Sequence, residues 1–512
     1  MDNSRLTQQL QTLLLCGAGL LFAVFLGWVI GTENYQLLVL GTVILTGLLI
    51  SFFMGRFLWV VTIASSFLGG TFPILGGAFT PFQILMLMGV AKFIVEDVVM
   101  RRTRTMPKSR FDLLMIAGFM GVLTFHGLHD RFGMRFLGSS VWGGHNYVNV
   151  FVGLAAFFVV QSIPMQPKVW AKLPYVVLAV TTFDLLIAVI TTIYPSSIFK
   201  IYPFYSAVSV TGIEEALTGE SLTGRVGSFG NFGFILILLV LASIPLRQIL
   251  NPKNLHRFIC LIIGFVAVLF SGFRSAVLNT VIGFLAAGIR DLKYAIVLFL
   301  PFLALGLFAL SFVNSDVFQL PKQVQRSLAF LPGKWDADMA RDAASSNDFR
   351  KQVWTIWIHD YFPVHPWLGR GFGFKSDWAK PSAYNPKAID YRQTVEVQNI
   401  HNGLFATLDT FGIVGTIFFV LWNLRILART FRVSFQRTDA GGMTLRFLAL
   451  YLAVWIIAYW FGALHVGTFL PQEFALVAVF LRLRHAIESK SMPMLSSEAD
   501  VNGGMREELV GV

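Results

Sequence analysis

The sequence predicts an all-α polytopic membrane protein, and three observations carry that prediction. Of 512 residues, 55% are hydrophobic and 13% charged, and the mean hydropathy of +0.67 is too high for a water-soluble globule. Apolar runs of the ~20 residues that a helix needs to cross a bilayer recur from residue 11 to residue 484. Period-2 alternation of the barrel type is absent, so the spans are helices.

On the same ~20-residue criterion, about 12–14 spans are expected. They fall near 11–30, 36–52, 57–72, 80–95, 111–126, 146–163, 173–193, 230–246, 256–271, 274–289, 293–313, 401–424, 446–462 and 467–483. Residues 57–95 hold Gly69, Gly70, Pro73, Gly76 and Gly77, which predict a partly re-entrant course. The run 11–30 is long enough to stay as the first span, so no cleavable signal is expected. Cys16 and Cys260 both lie in apolar runs and carry no redox message.

The net charge of +12 raises nucleic acid as a partner, and the positions of the charges argue against it. Every second loop is basic: Arg56, the cluster Arg101, Arg102, Arg104, Lys108 and Arg110, then Lys168 and Lys172, Arg247, Lys253 and Arg257, Arg290 and Lys293, and Arg429, Arg432 and Arg437. The short intervening loops hold only Arg131, Arg135, Lys200, Arg225 and Arg274. This is the positive-inside pattern, and it places both termini in the cytoplasm.

The organisation that follows is N-terminal transmembrane helices (1–193), a non-cytoplasmic loop (194–229), central helices (230–313), a large non-cytoplasmic loop (314–400), C-terminal helices (401–484) and a disordered cytoplasmic tail (485–512). The large loop interleaves Trp335, Trp354, Trp357, Tyr361, Trp367, Trp378, Tyr384 and Tyr391 with basic residues. Aromatic faces suit sugar rings, and equally a membrane-surface belt. Within it, residues 350–362 place Val353, Trp354, Trp357, Ile358 and Tyr361 at helical spacing, which predicts an amphipathic helix lying on the bilayer. Pro363 and Pro366 end it, and residues 369–374 follow as a flexible glycine-rich turn.

Three polar positions stand beside spans on the non-cytoplasmic side. Arg225 precedes the span at 230–246, Arg274 sits in the tight turn FSGFRSA, and His401 opens the span at 401–424. For each taken alone, an orientation-setting or snorkelling residue is the plainer reading. The positive-inside rule disfavours arginines there, however, and two guanidinium forks suit a doubly charged phosphate. Asp184, near the middle of 173–193, is expected to have a structural partner. His126, His129 and His145 with Asp130 match no standard metal spacing and read as loop histidines.

These motifs together resemble the O-antigen ligase and polymerase superfamily, the bacterial Wzy-C type membrane glycosyltransferases. His401 and Asn402, nine residues, then Gly412 and Gly415 match that family's His-Asn and Gly-x-x-Gly pattern in full. Arg350, Trp354, His365, Pro366, Gly369, Gly371 and Gly373 follow its loop motif. Arg225 to Asn231 and Ser271 to Arg274 resemble its earlier motifs, so the likeness runs over roughly 220–425. The chain departs in having Phe232 where a proline often stands, and Thr410 where an acid is frequent, with Asp409 one place earlier.

The resemblance implies a GT-C-like fold in the bacterial inner membrane and transfer of a glycan from undecaprenyl pyrophosphate to an acceptor hydroxyl at the periplasmic face, with no metal, nucleotide sugar or other cofactor. Under that reading His401 is the general base, Arg225 and Arg274 stabilise the pyrophosphate leaving group, and Arg350, Trp354, Asn402, Asn231 and Ser271 line the substrates. Asn402 is expected to cap the helix, and Gly412 and Gly415 to allow close packing or leave room beside a lipid tail. A single displacement would invert the anomeric centre. The partners are the lipid-linked glycan, an acceptor glycan or lipid A core, and the bilayer. A protein O-oligosaccharyltransferase and a non-catalytic transporter of lipid-linked glycans are the alternatives.

Overall fold

The computed structural model describes residues 53–72, 79–94, 109–134, 137–202, 204–206, 226–292, 318–375, 391–433, 441–462 and 465–490, with scattered positions outside them. The spans expected at 11–30, 36–52 and 293–313 fall almost wholly outside the described residues, as do Arg225 and the tail from 491 onward. Among the described residues the protein is helical apart from one two-strand ribbon, and six helices are long and apolar enough to cross a membrane. The protein is an all-α polytopic membrane protein.

The chain divides into two compact units. Residues 1–106 and 179–224 form one, and residues 107–178 and 225–512 the other. The first contains α1 (Phe57–Ser65) and α2 (Pro81–Phe93). Thr80 and Gln83 close a reciprocal capping box at the start of α2, and Lys92 near its end donates to the Gly55 carbonyl at 2.9 Å. At 9 residues, α1 rises only about 13 Å, less than half of a ~30 Å hydrocarbon core. The single span expected over 57–72 is therefore corrected to a short helix that ends at Ser65, followed by a turn and irregular chain through Gly69 and Gly70. In this unit Tyr205 donates to the buried Asp184 carboxylate at 3.3 Å, which supplies the partner that the acid needs.

The second unit holds α3 (Arg110–His129), α4 (Gly144–Ser162), α6 (Gly227–Ser243), α7 (Leu255–Phe270), α8 (Arg274–Leu292), α9 (Lys322–Leu328), α10 (Ala337–Ile356), α11 (Tyr391–Glu396), α12 (Gly403–Thr430), α13 (Gly442–Phe461) and α14 (Val466–Lys490). The boundary between the units falls within α5 (Leu173–Ile193). Glycines allow close helix approaches: Gly153 of α4 lies against Pro471 of α14, and Gly233 of α6 against the Gly264 carbonyl of α7. Helix α3 runs alongside α12 in the opposite sense. Asp112 pairs with Arg425 (3.0 Å) and Arg429 (2.7 Å) at one end, while Gly118 meets Phe418 and Val122 meets Gly415 further along. Between these points Phe119, Phe411, Phe419, Trp422 and Phe474 form an aromatic core with ring centroids 5.4–6.5 Å apart.

Candidate active site

The site is built around the start of α12. Asn402 caps it: its side-chain oxygen accepts from the Phe405 N–H at 3.1 Å, as the sequence predicts. Gly403, the first helical residue, lies so close to the Tyr459 carbonyl at the end of α13 that any side chain would collide. His401 precedes the cap in a left-handed conformation (φ 56°), which few non-glycine residues adopt and which costs on the order of 1–3 kcal/mol unless the surroundings hold it.

Those surroundings are extensive. The His401 ring lies edge-on to Phe349 of α10, with centroids 5.6 Å apart, and the Trp354 indole N–H donates to the Ile400 carbonyl at 2.9 Å. Trp357 stacks on Phe405 at 4.8 Å, and Val353, Trp357, Val395 and Ile400 form a buried cluster. The apolar side of 350–362 is thus packed against residues 391–408 of the same unit. That corrects the expectation of a helix whose apolar face lies on the bilayer, because its cover arrives from sequence some 40–50 positions later. The helix itself begins earlier, at Ala337, and widens into a π-turn at Trp357–Tyr361 before Pro363.

The second feature is a break. Helix α12 is interrupted at Gly412 (φ 62°, ψ −171°), which leaves carbonyls above the break and N–H groups below it without helical partners. The segment His365 to Gly371 fills the gap as a wedge. Arg370 N–H donates to the Asp409 carbonyl (2.8 Å) and Gly371 N–H to the Thr410 carbonyl (3.1 Å), while Ile413 and Val414 N–H donate to the carbonyls of Pro366 (2.8 Å) and Trp367 (3.1 Å). A side chain on Gly412 would overlap the Trp367 carbonyl, and one on Gly369 (φ 70°) would press on the backbone of 409–412. The flexible turn expected at 369–374 is instead a fitted insert that runs on into β2 (Phe374–Lys375), paired antiparallel with β1 (Val141–Trp142).

Asp409 anchors the wedge. Its buried carboxylate accepts from Arg370 Nε (2.9 and 3.0 Å), Trp357 Nε1 (2.8 Å) and Gln398 Nε2 (3.1 Å). Arg370 also reaches Glu396 at 3.3 Å and the Val395 carbonyl, and Tyr361 donates to Glu396 at 3.0 Å. Burial, and next the bond to Glu396, push the Tyr361 phenol up to about 12, so it stays a donor. His465, just before α14, stacks near Phe372 and accepts the Gly467 N–H at 3.1 Å. Its burial holds the imidazole below the ordinary range, with the Asp409 charge acting in the other direction.

The arginine turn lies on a neighbouring corner. Ser271 ends α7, fully buried, with its hydroxyl bonded to the Val268 carbonyl (2.7 Å) and the Phe273 N–H (3.2 Å). Its carbonyl accepts the Val226 N–H at 3.1 Å, which ties the start of α6 to this turn. Arg274, the first residue of α8, donates to the Ala343 carbonyl of α10 at 3.4 Å. Helix α10 is therefore a common rail. Arg274 meets it at Ala343 and His401 at Phe349, about 9 Å apart in axial rise. Arg350 is half-buried next to Phe349 and makes no hydrogen bond or ion pair among the described residues. Asn231 is exposed near the start of α6, and Gly415 packs on Val122.

Sequence reasoning passed over Arg370, Gln398, Trp357 and Asp409 as parts of this site. The available signal was Asp409 itself, since an acid inside an apolar span calls for a cation. His126 and His129 lie in the last turn of α3 and not in a loop, and His126 Nε2 is 2.9 Å from the Leu368 carbonyl of the wedge.

No curated protein matches the chain significantly. Residues 259–420 match the family model Wzy_C, described as O-Antigen ligase, and that stretch takes in the arginine turn, α10, the wedge, His401 and both glycines of α12. Over that third of the chain the match supports the O-antigen ligase superfamily, which implies in general terms a glycosyl-transferring membrane enzyme.

Proposed function

We propose that this protein transfers a glycan from undecaprenyl pyrophosphate to an acceptor hydroxyl at the periplasmic face of a bacterial inner membrane, in the manner of an O-antigen ligase or surface-polysaccharide polymerase. The observation that carries the reading is His401 fixed in a left-handed turn at a capped helix start, on the same α10 rail that Arg274 reaches. In the reaction His401 takes the proton of the acceptor hydroxyl as its oxygen attacks the anomeric carbon. The bond from that carbon to the phosphate oxygen breaks, and its electron pair leaves with the pyrophosphate. Arg274 and Arg225, with the half-buried Arg350 next along α10, receive the charge. The α12 N-terminus disfavours a protonated ring nearby and keeps the base available. Trp354 spends its N–H on the Ile400 carbonyl and packs edge-to-face with Phe405, and so holds His401 in place beside the substrates. Backside displacement inverts the anomeric centre, and neither metal nor cofactor is invoked.

The test is turnover of purified protein in proteoliposomes supplied with undecaprenyl-pyrophosphate glycan. His401→Ala is expected to lose about 10²–10⁴-fold in turnover, and Arg274→Lys to be impaired because the fork is lost. Full activity of His401→Ala would remove it as the base, and absence of transfer by the native protein with every acceptor would bring a transport role forward. Glycan ladders made without added acceptor would identify a polymerase. Release of undecaprenyl pyrophosphate only with lipid A core would identify a ligase, and only with protein a protein oligosaccharyltransferase.

A further inference from the structure

We infer that the wedge is a re-entrant membrane segment whose Trp367 and Leu368, with Val364 just before it, lie against lipid acyl chains in the leaflet on the His401 side. This stands apart from the catalytic reading and rests on three observations.

The first is depth. Asp112 with Arg425 and Arg429 marks one polar boundary of the α3–α12 pair. Trp367 is bonded to Val414 and Leu368 to His126. These positions are about 16 and 21 Å from that boundary at 1.5 Å per residue, well inside a ~30 Å hydrocarbon core.

The second is polar satisfaction. Irregular backbone at membrane depth is tolerated only when its polar groups are taken up by protein. The carbonyls of His365, Pro366, Trp367, Leu368 and Gly371 all accept hydrogen bonds, from Gly369, Ile413, Val414, His126 and Gln398 in turn. A loop bathed in water has no such need.

The third is the surface. Val364 is 64% and Trp367 65% exposed, and they continue the apolar exposed stripe of α12 at Ile417 and Leu421 and the exposed Phe125 of α3. An indole left so open beside a spanning helix, with its neighbours apolar on both sides, fits lipid chains as its partner.

The experiment uses the full chain in nanodiscs, with Cys16 and Cys260 changed to serine and a nitroxide placed through Val364→Cys or Trp367→Cys. Leu421→Cys gives the lipid reference and Lys351→Cys, on the exposed side of α10, the water reference. The expected result is oxygen collision several-fold above that of a water-soluble nickel complex, matching Leu421→Cys. Values matching Lys351→Cys overturn the inference, and so does shielding from both probes, which would mean a protein cover. Since a label could disturb the wedge, unlabelled protein gives a second reading. Trp367→Phe should lose a measurable part of the tryptophan quenching produced by lipids brominated in mid-chain, and unchanged quenching would also overturn it.

Discussion

Helix α12 is one helix held by two different kinds of force. Above Gly412, residues 403–411 are fixed by a cap, an ion pair and hydrogen bonds to loops that lie far away in sequence. Below it, residues 413–430 are fixed by ring packing against α3 and α14, with charges only at the far end. The lower half resembles any bundle core, where volume and shape decide the energy. The upper half depends on particular donors and acceptors, which fix His401 to one conformation. The difference teaches that the reactive end of this helix is positioned by polar geometry and merely supported by packing.

The largest expected effect comes from abolishing the junction between the two halves. Gly412→Val combines a left-handed backbone with overlap on the Trp367 carbonyl, so it should cost several kcal/mol on the order of known strain and overpacking penalties. Recovery of monodisperse protein from membranes should collapse; normal yield and thermal midpoint would mean that the break is not needed. Next comes a crossed pair. Trp422→Ala, in the lower half, should lower stability by about 3–5 kcal/mol while surviving folded molecules turn over normally. Asp409→Asn should cost less, about 1–3 kcal/mol, because Arg370 keeps Glu396 and Val395, yet it should reduce turnover about 10–100-fold through misplacement of the catalytic end. Equal damage to both properties in both variants would erase the contrast.

The smallest effect is the pH response of His465. Its folded form is held neutral by burial, whereas the unfolded chain protonates near pH ~6.5. The unfolded state thus binds more protons in the window from ~6.5 down to the lowered folded value, and stability falls as pH drops through that window. His465→Gln should flatten this part of the thermal-midpoint profile; an identical acid slope in the variant would assign it to other groups.

Much of this was legible in advance, and for identifiable reasons. Apolar runs placed the starts of α12, α13 and α14 within four residues, because a span's length is set by the bilayer, whereas α12 and α14 continue six and seven residues past the expected ends. Asn402 read as a cap because the interaction is local, three residues to Phe405. Gly412 read as a packing glycine, and its role as a break stayed hidden because the group that fills the break is some 45 residues upstream. Arg370 looked like one cation in a flexible string for the same reason. His401's left-handed turn lies between the Ile400 carbonyl that Trp354 holds and the Asn402 cap, and the first of these contacts comes from 46 residues upstream, where no local pattern reports it. The aromatic face of α10 was assigned to lipid because periodicity reports that a face is buried and is silent about what buries it.

The wedge also bears on how the chain is made. Synthesis runs from the amino terminus, so His365 to Gly371 exists before α12 begins to enter the bilayer. A broken helix crossing alone would bring two acceptors and two donors into hydrocarbon with nothing to bond them. Here the filler is translated ahead of the gap, and the interrupted helix can be completed as it arrives, with the stopper already waiting beside it.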